Sequence, residues 1–540
     1  MKNIKYLLLS AVLIGFTACN DEEDFEELLD NPTEEVILPE LTAGSANFAK
    51  YVSIGNSLTA GFTDNALFIA GQENSLPNIL SQKFALVGGG DFTQPLMNDN
   101  IGGLLFGGNQ NANGSFGPRL YFNGSGPASL PATSTTEAFA PSLGSHNNMG
   151  VPGAASFHLL YDGYGDPANL LLETPTANPY FVRIASAPNA TVLGDALAQQ
   201  PTFVSLWIGN NDVLGYATSG GDATLGAITP EATFNGSINA IMGALQTANV
   251  QGVMANIPYV TTIPHFTTVP HNPLDPTNPS FGPQIPTLNG VFGALNPIFN
   301  AVDPNRAIVF STTEASPVVI KDESLADISS IITAQLNASP TFPAFIAQFG
   351  LPAEAASSVA TLLGLTYGQT RQATADDLLV LPSSNIIGTV NTDHVAFLMT
   401  QGLPQAVAGQ FAIEGVTLPL ADKWVLIPSE QDEIKTAIDT FNATLQSAAS
   451  TAGFAFVDAN SLMSQLDNGG YSDGNFVLTS SLVSGGAFSL DGVHPTARGY
   501  ALLANQFMKA IDETYGSNFE ASGNFVDIGN YPTNYPPTLQ

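Results

Sequence analysis

The chain has 540 residues, 44% hydrophobic and only 11% charged, which is material for a large core and too little charge for a disordered chain. Acidic residues outnumber basic ones 46 to 13, for a formal net charge of -33, so the surface repels phosphate backbones and anionic lipid, and nucleic acid is excluded as a partner. The single cysteine, Cys19, excludes an intramolecular disulfide.

At the N-terminus Lys2 and Lys5 precede an apolar run from Tyr6 to Phe16, followed by the small residues Thr17 and Ala18. Residues 1–18 therefore read as a secretory signal, too short to span a bilayer. Phe16-Thr17-Ala18-Cys19 resembles the lipobox of bacterial lipoproteins, which implies cleavage before Cys19, lipidation there and a membrane anchor in the cell envelope. The acidic run Asp21, Glu22, Glu23, Asp24, Glu26 and Glu27 resembles the surface-export signal of Bacteroidetes-type outer-membrane lipoproteins. Read for charge alone, the run is a solvated tether. Residues 19–47, acidic and containing Pro32, Pro39 and Gly44, read as a flexible linker, with order expected from about Phe48.

The first core element is a strand at Tyr51-Val52-Ser53-Ile54, ending at Gly55. Phe203 to Ile208 is a nearly continuous apolar run, as expected for a strand buried on both faces. Phe234, Ile238, Ile241 and Leu245 recur at helical spacing and lead into a strand over 252–257. A second stripe, Ile434, Ile438, Phe441 and Leu445, leads into a strand over 454–458. The last helix starts near Thr496, with Tyr500, Leu503, Phe507 and Ile511 on one face. Strands alternating with helices predict an α/β fold with a parallel sheet. Two stretches, about 64–140 and 259–430, read as insertions into one α/β core unit over 48–515, the second partly helical; residues 516–540 read as a tail.

Four short blocks carry polar residues of chemical interest. Gly55-Asn56-Ser57-Leu58 follows the first strand and puts a serine at a strand's carboxyl end, where open parallel sheets bind ligands. Gly150-Val151-Pro152-Gly153 offers a backbone N–H without a side chain in the way. Gly209-Asn210-Asn211-Asp212 follows a buried strand and offers a side-chain amide to an oxyanion. Asp491-Gly492-Val493-His494 precedes Pro495, which keeps His494 out of the terminal helix, and Asp491 lies near enough in sequence to orient its imidazole. Taken singly, each block reads as an ordinary turn or cap.

Together and in this order, the four blocks resemble those of the SGNH/GDSL hydrolase family. The resemblance implies a flavodoxin-like, three-layer α/β core and a serine ester hydrolase. In it Ser57 is the nucleophile, His494 the base and Asp491 its partner. The Ser57 and Gly153 N–H groups and the Asn211 amide form the oxyanion hole, and no cofactor is needed. Asn56 departs from the aspartate common before the family's serine, and both insertions exceed those of a minimal member. The similarity covers about 48–64, 145–257 and 430–512.

The remaining histidines, His146, His158, His265, His271 and His394, lack such context, although His265 follows a core strand and could line a pocket. No cluster has metal-ligand spacing, so no metal is predicted. The substrate classes left open are lipid or medium-chain esters and O-acetylated glycans, and a non-catalytic binding lipoprotein on the same fold is a further class. The apolar helices of a predicted cap, roughly 320–420, suggest an acyl-chain pocket or simply bury one another. Nothing in the sequence bears on oligomeric state.

Overall fold

The computed structural model describes residues 37–111 and 114–540. The apolar leader, Cys19 and the acidic run after it lie outside the described residues.

A mixed α/β fold is built on five parallel strands: β1 (Tyr51–Gly55), β2 (Asn148–Gly150), β3 (Phe203–Trp207), β4 (Gln251–Ala255) and β5 (Ala455–Val457). Their order across the sheet is β2-β1-β3-β4-β5, so the chain crosses from one side of β1 to the other between β2 and β3. The helices that matter for the site are α1 (Ser57–Ala60), α2 (Leu76–Ala85), α3 (Val192–Ala198), α4 (Asn211–Thr218), α5 (Glu231–Thr247), α6 (Pro428–Ala452), α7 (Ala459–Asp467) and α8 (Ala497–Tyr515).

Every residue of β1 and β3 is buried, which is why β3 reads as an apolar run rather than an alternating one. On one face lie α2 and α8: Phe84 packs edge-on to Tyr51 at 5.0 Å, and Phe507 lies 5.9 Å from Trp207. The Tyr515 hydroxyl both donates to the Gly252 carbonyl and accepts from its N–H, tying the end of α8 to β4. On the other face lie α3, α5 and α6, with Phe234 of α5 stacked on Phe441 of α6 at 3.9 Å.

Residues 269–427 carry a second apolar core with its own helices and short strands. There Ile332, Leu336, Ile346, Leu363 and Tyr367 bury one another. Arg371 is held between Asp322 and the bidentate carboxylate of Asp377, at 2.6–2.7 Å.

Three features differ from the sequence reading. The stretch 64–140 is not wholly an insertion, because α2 within it belongs to the main core through Leu76, Ile79, Leu80 and Phe84. Residues 516–540 are not a loose tail. Phe519, Val526, Ile528 and Tyr535 are buried, and the fully buried Arg119 donates to the carbonyls of Tyr535, Pro536 and Leu539. The last part of the acidic linker is also fixed: Thr42 donates to the Asn518 side chain and Ser45 to the Tyr515 carbonyl. In both terminal segments a few apolar side chains find places on the core, and composition averaged over a window hides them.

Candidate active site

The carboxyl ends of β1 and β3 are neighbours on either side of the point where the chain reverses direction across the sheet, the crevice where open α/β sheets hold ligands. Ser57 opens α1 directly beyond β1, and Asn211 opens α4 beyond β3. The loop after β2 carries Gly153. The fourth block lies in the turn before α8.

Asn56 caps α1, its side-chain oxygen accepting the Leu58 N–H at 3.0 Å. Its amide nitrogen donates to the Asn210 side-chain oxygen at 3.2 Å, a bond that an ionised aspartate in its place could not make. The departure at position 56 thus joins the first block to the third.

His494 Nε2 lies 2.9 Å from Ser57 Oγ, and His494 Nδ1 lies 2.9 Å from Asp491 Oδ2. With the imidazole neutral, Nδ1–H donates to the carboxylate and Nε2 accepts from the serine hydroxyl. Asp491 Oδ1 also accepts the N–H groups of Val493 and His494, each at 2.8 Å, and the Ser489 hydroxyl at 3.0 Å. The Asn65 N–H reaches Oδ2 at 2.9 Å. Burial pushes the Asp491 carboxyl up, but the charge and hydrogen bond of His494 and these N–H donors outweigh it and hold the group well below the usual carboxylate range. Phe62 packs against the His494 ring at 4.7 Å between centroids.

Gly153 is exposed and sits at φ +83°, a left-handed conformation that glycine adopts freely. Its loop is fixed on both sides. Asn211 Nδ2 donates to the Ala154 carbonyl at 2.9 Å, and Asn178 Nδ2 to the Pro152 carbonyl at 2.8 Å. The buried Asp212 accepts both the N–H and the hydroxyl of Ser156, at 2.8 and 2.7 Å. Ser57, Asn211 and His494 line one cavity, and Asn211 holds the residue next to Gly153.

Several supporting residues carried no signal in the sequence reading. Asn178, Ser156 and Asn65 come from segments without a motif. Asp64, next to Asn65, is buried with φ +50°; it accepts the Leu490 N–H at 3.1 Å, and its own N–H donates to Ser489. Burial raises its carboxyl to about 7, with the Leu490 hydrogen bond opposing and the Asp491 charge adding to the rise.

Among the described residues, none of the other histidines hydrogen-bonds to the Ser57 hydroxyl. His265 packs behind the turn that carries Asp491 and His494, donating its N–H to the Gly492 carbonyl at 2.9 Å, and burial lowers its imidazole to about 4. Its neighbour Ile263, not His265, lines the cavity. His158 Nδ1 accepts the Ala155 N–H, and its ring stacks on Tyr164. His146 contacts the Ser142 carbonyl, and His394 belongs to a small cavity in the second core. The cap helices do not line the Ser57 cavity: its apolar walls come from the main core, chiefly α7 and α8.

Among the described residues, Glu323, Asp422 and Glu430 bring carboxylate oxygens within 4.8 Å of one another. Glu323 comes from a segment distant in sequence from Asp422 and Glu430, so no spacing rule could show the grouping. Comparison of the chain with family profiles, with curated proteins and with solved structures finds no match to any of them.

Proposed function

We propose that the protein is a carboxylic ester hydrolase of the SGNH/GDSL type, working through an acyl-enzyme on Ser57. One observation carries the reading: an unbroken hydrogen-bonded chain from Ser57 Oγ through His494 to Asp491, each link 2.9 Å, at the carboxyl edge of a parallel sheet. The strand order β2-β1-β3-β4-β5 is the flavodoxin-type winding this family reading calls for.

In this mechanism Ser57 Oγ attacks the ester carbonyl carbon while His494 Nε2 takes the hydroxyl proton. Asp491 fixes the Nδ1–H tautomer and stabilises the imidazolium. The carbonyl oxygen, now negative, is held by the Ser57 and Gly153 N–H groups and the Asn211 amide. Asn211 has one N–H committed to Ala154, which aims the other and leaves it for the oxyanion. The imidazolium returns its proton to the departing alcohol, the C–O bond breaks, and Ser57 keeps the acyl group. Water then attacks with His494 again as base, and the carboxylic acid leaves. The same reading makes the chain an envelope lipoprotein anchored through Cys19, with a neutral ester as substrate.

The test is hydrolysis of p-nitrophenyl butyrate and labelling by a fluorophosphonate. Turnover that falls by about 10³-fold or more in both Ser57→Ala and His494→Ala, with the adduct mapped to Ser57, supports the assignment. Turnover that survives Ser57→Ala refutes it. Incorporation of labelled palmitate, lost in Cys19→Ala, tests the anchor.

A further inference from the structure

The cavity beside Ser57 extends far beyond the hydroxyl. Its walls come from the segments that follow four of the five strands: Leu58 after β1, Leu214 after β3, Val260 after β4, and Met463 and Leu466 after β5. It therefore runs along the carboxyl edge of the sheet from β1 to β5. Those strands are consecutive neighbours, β1-β3-β4-β5, so the run covers three strand spacings of about 4.8 Å, roughly 14 Å in all.

Polarity along this run is one-sided. The polar side chains in its wall are those of Ser57, Asn210, Asn211 and His494, together with Trp207, whose indole N–H is already given to the Asn256 carbonyl. The segments after β4 and β5 contribute no hydrogen-bonding side chain to the wall, and α8 closes it with Leu502 and Leu503. A sugar placed there would leave its hydroxyls without partners, whereas a hydrocarbon chain needs none.

We infer that this cavity is the acyl-binding channel of the enzyme, taking a linear, saturated acyl chain of roughly ten to twelve carbons whose carbonyl sits at Ser57 and whose methyl end reaches α7. The length follows from the 14 Å run and a rise of about 1.25 Å per methylene in an extended chain of ~1.5 Å bonds. The inference rests on the ester-hydrolase reading for its carbonyl end. The channel itself rests on the cavity wall. It also replaces the cap as the source of the apolar pocket, since none of the wall comes from residues 320–420.

The test compares p-nitrophenyl esters from acetate to palmitate. The expected profile is a kcat/KM that rises by up to about fourfold per methylene and peaks near C10–C12. Met463→Trp, placed at the β5 end, lowers the laurate-to-butyrate ratio of kcat/KM at least tenfold. Met463→Phe serves as the milder filling if the tryptophan variant does not fold. Laurate binding to Ser57→Ala protein, followed by calorimetry, gives a readout free of turnover and is lost in the double variant with Met463→Phe or Met463→Trp. A profile that is flat or peaks at acetate, while a fluorophosphonate still labels Ser57, overturns the channel and leaves the nucleophile standing. Laurate binding without any labelling of Ser57 does the reverse. A laurate-to-butyrate ratio unmoved by either filling also overturns the channel.

Discussion

Asp491→Asn is the sharpest single probe of the site, because both oxygens of the carboxylate are committed. Oδ1 accepts three donors, from Ser489, Val493 and His494, and Oδ2 accepts two, from Asn65 and the His494 ring. An amide minimises conflict by keeping its oxygen toward the three donors and turning its nitrogen toward the other two. The His494 ring can then only accept at Nδ1, so its proton moves to Nε2, the nitrogen that must receive the Ser57 proton. Loss of the correct tautomer costs such a triad about 10⁴ in rate. The Asn65 N–H loses its acceptor, for about 1–3 kcal/mol of stability, nearer the low end because Asn65 is exposed. The folded carboxyl lies well below its unfolded value, so its stabilisation is complete above about pH 4 and disappears as the pH falls through and below that point. We expect kcat/KM on p-nitrophenyl butyrate, or the rate of fluorophosphonate labelling, to fall about 10⁴-fold. Urea unfolding should separate the two proteins at pH 7, and the gap should begin to narrow only as the pH falls below about 4. A variant within tenfold of the parent at pH 7 would mean that Asp491 does not set the tautomer of His494.

Other outcomes follow from the same coordinates. A Cβ at Gly150 would lie 2.3 Å from the Ala60 nitrogen and 2.7 Å from the Thr59 carbonyl carbon, so Gly150→Ala should push α1 and cost about 100-fold in kcat/KM with about 1–3 kcal/mol of stability, read by kinetics and thermal melting. At Gly153 the nearest atom would be 3.8 Å away, so Gly153→Ala should cost only the left-handed backbone strain, about 1–2 kcal/mol, unless the loop moves and takes activity with it. Asp64, raised by burial to about 7, weakens the fold increasingly as the pH climbs from about 4 to 7, and Asp64→Asn removes that loss. The variant should therefore gain on the parent by up to about 4 kcal/mol between pH 4 and pH 8, and a pH-independent difference in urea unfolding would contradict this. Arg119→Met leaves five carbonyls without their buried guanidinium and should cost about 3–5 kcal/mol, with the chain after Tyr531 becoming open to carboxypeptidase by intact mass. Resistance equal to the parent's would show that the C-terminal segment holds by apolar packing alone.

The sheet was legible where burial on both faces wrote itself into the sequence. β3 and β4 stand out because nearly every residue is apolar, and α5 and α6 because one side of each is. β2 is different: Asn148-Met149-Gly150 has no strand-forming residue, and its register is imposed by β1 through Ser53, Ile54 and Gly55. α2 was lost among glycines on either side of it, although Ser75 caps it and Leu76, Ile79, Leu80 and Phe84 have helical spacing. The C-terminal segment was lost because four buried apolar side chains among twenty-five residues do not change its average polarity.

The site divides in the same way. Ser57, Asn211, Asp491 and His494 were legible because each lies in a short block beside a strand or helix end, and the order of blocks constrains them jointly. Their supports were not, because Asn178, Ser156 and Asn65 act through a few isolated hydrogen bonds across the fold, and such bonds leave no periodicity. The acyl channel is the instructive case. Ala459, Leu462, Met463 and Leu466 form an apolar stripe that looks like any helix face turned to a core, and part of it is buried against protein. The stripe records only that this face avoids water. Whether it meets another side chain or an empty channel depends on how closely α8 and the segment after β4 approach it, and that distance is set by residues some forty to two hundred positions away. A channel and a core are thus the same pattern in sequence, separated by a gap that exists only in three dimensions.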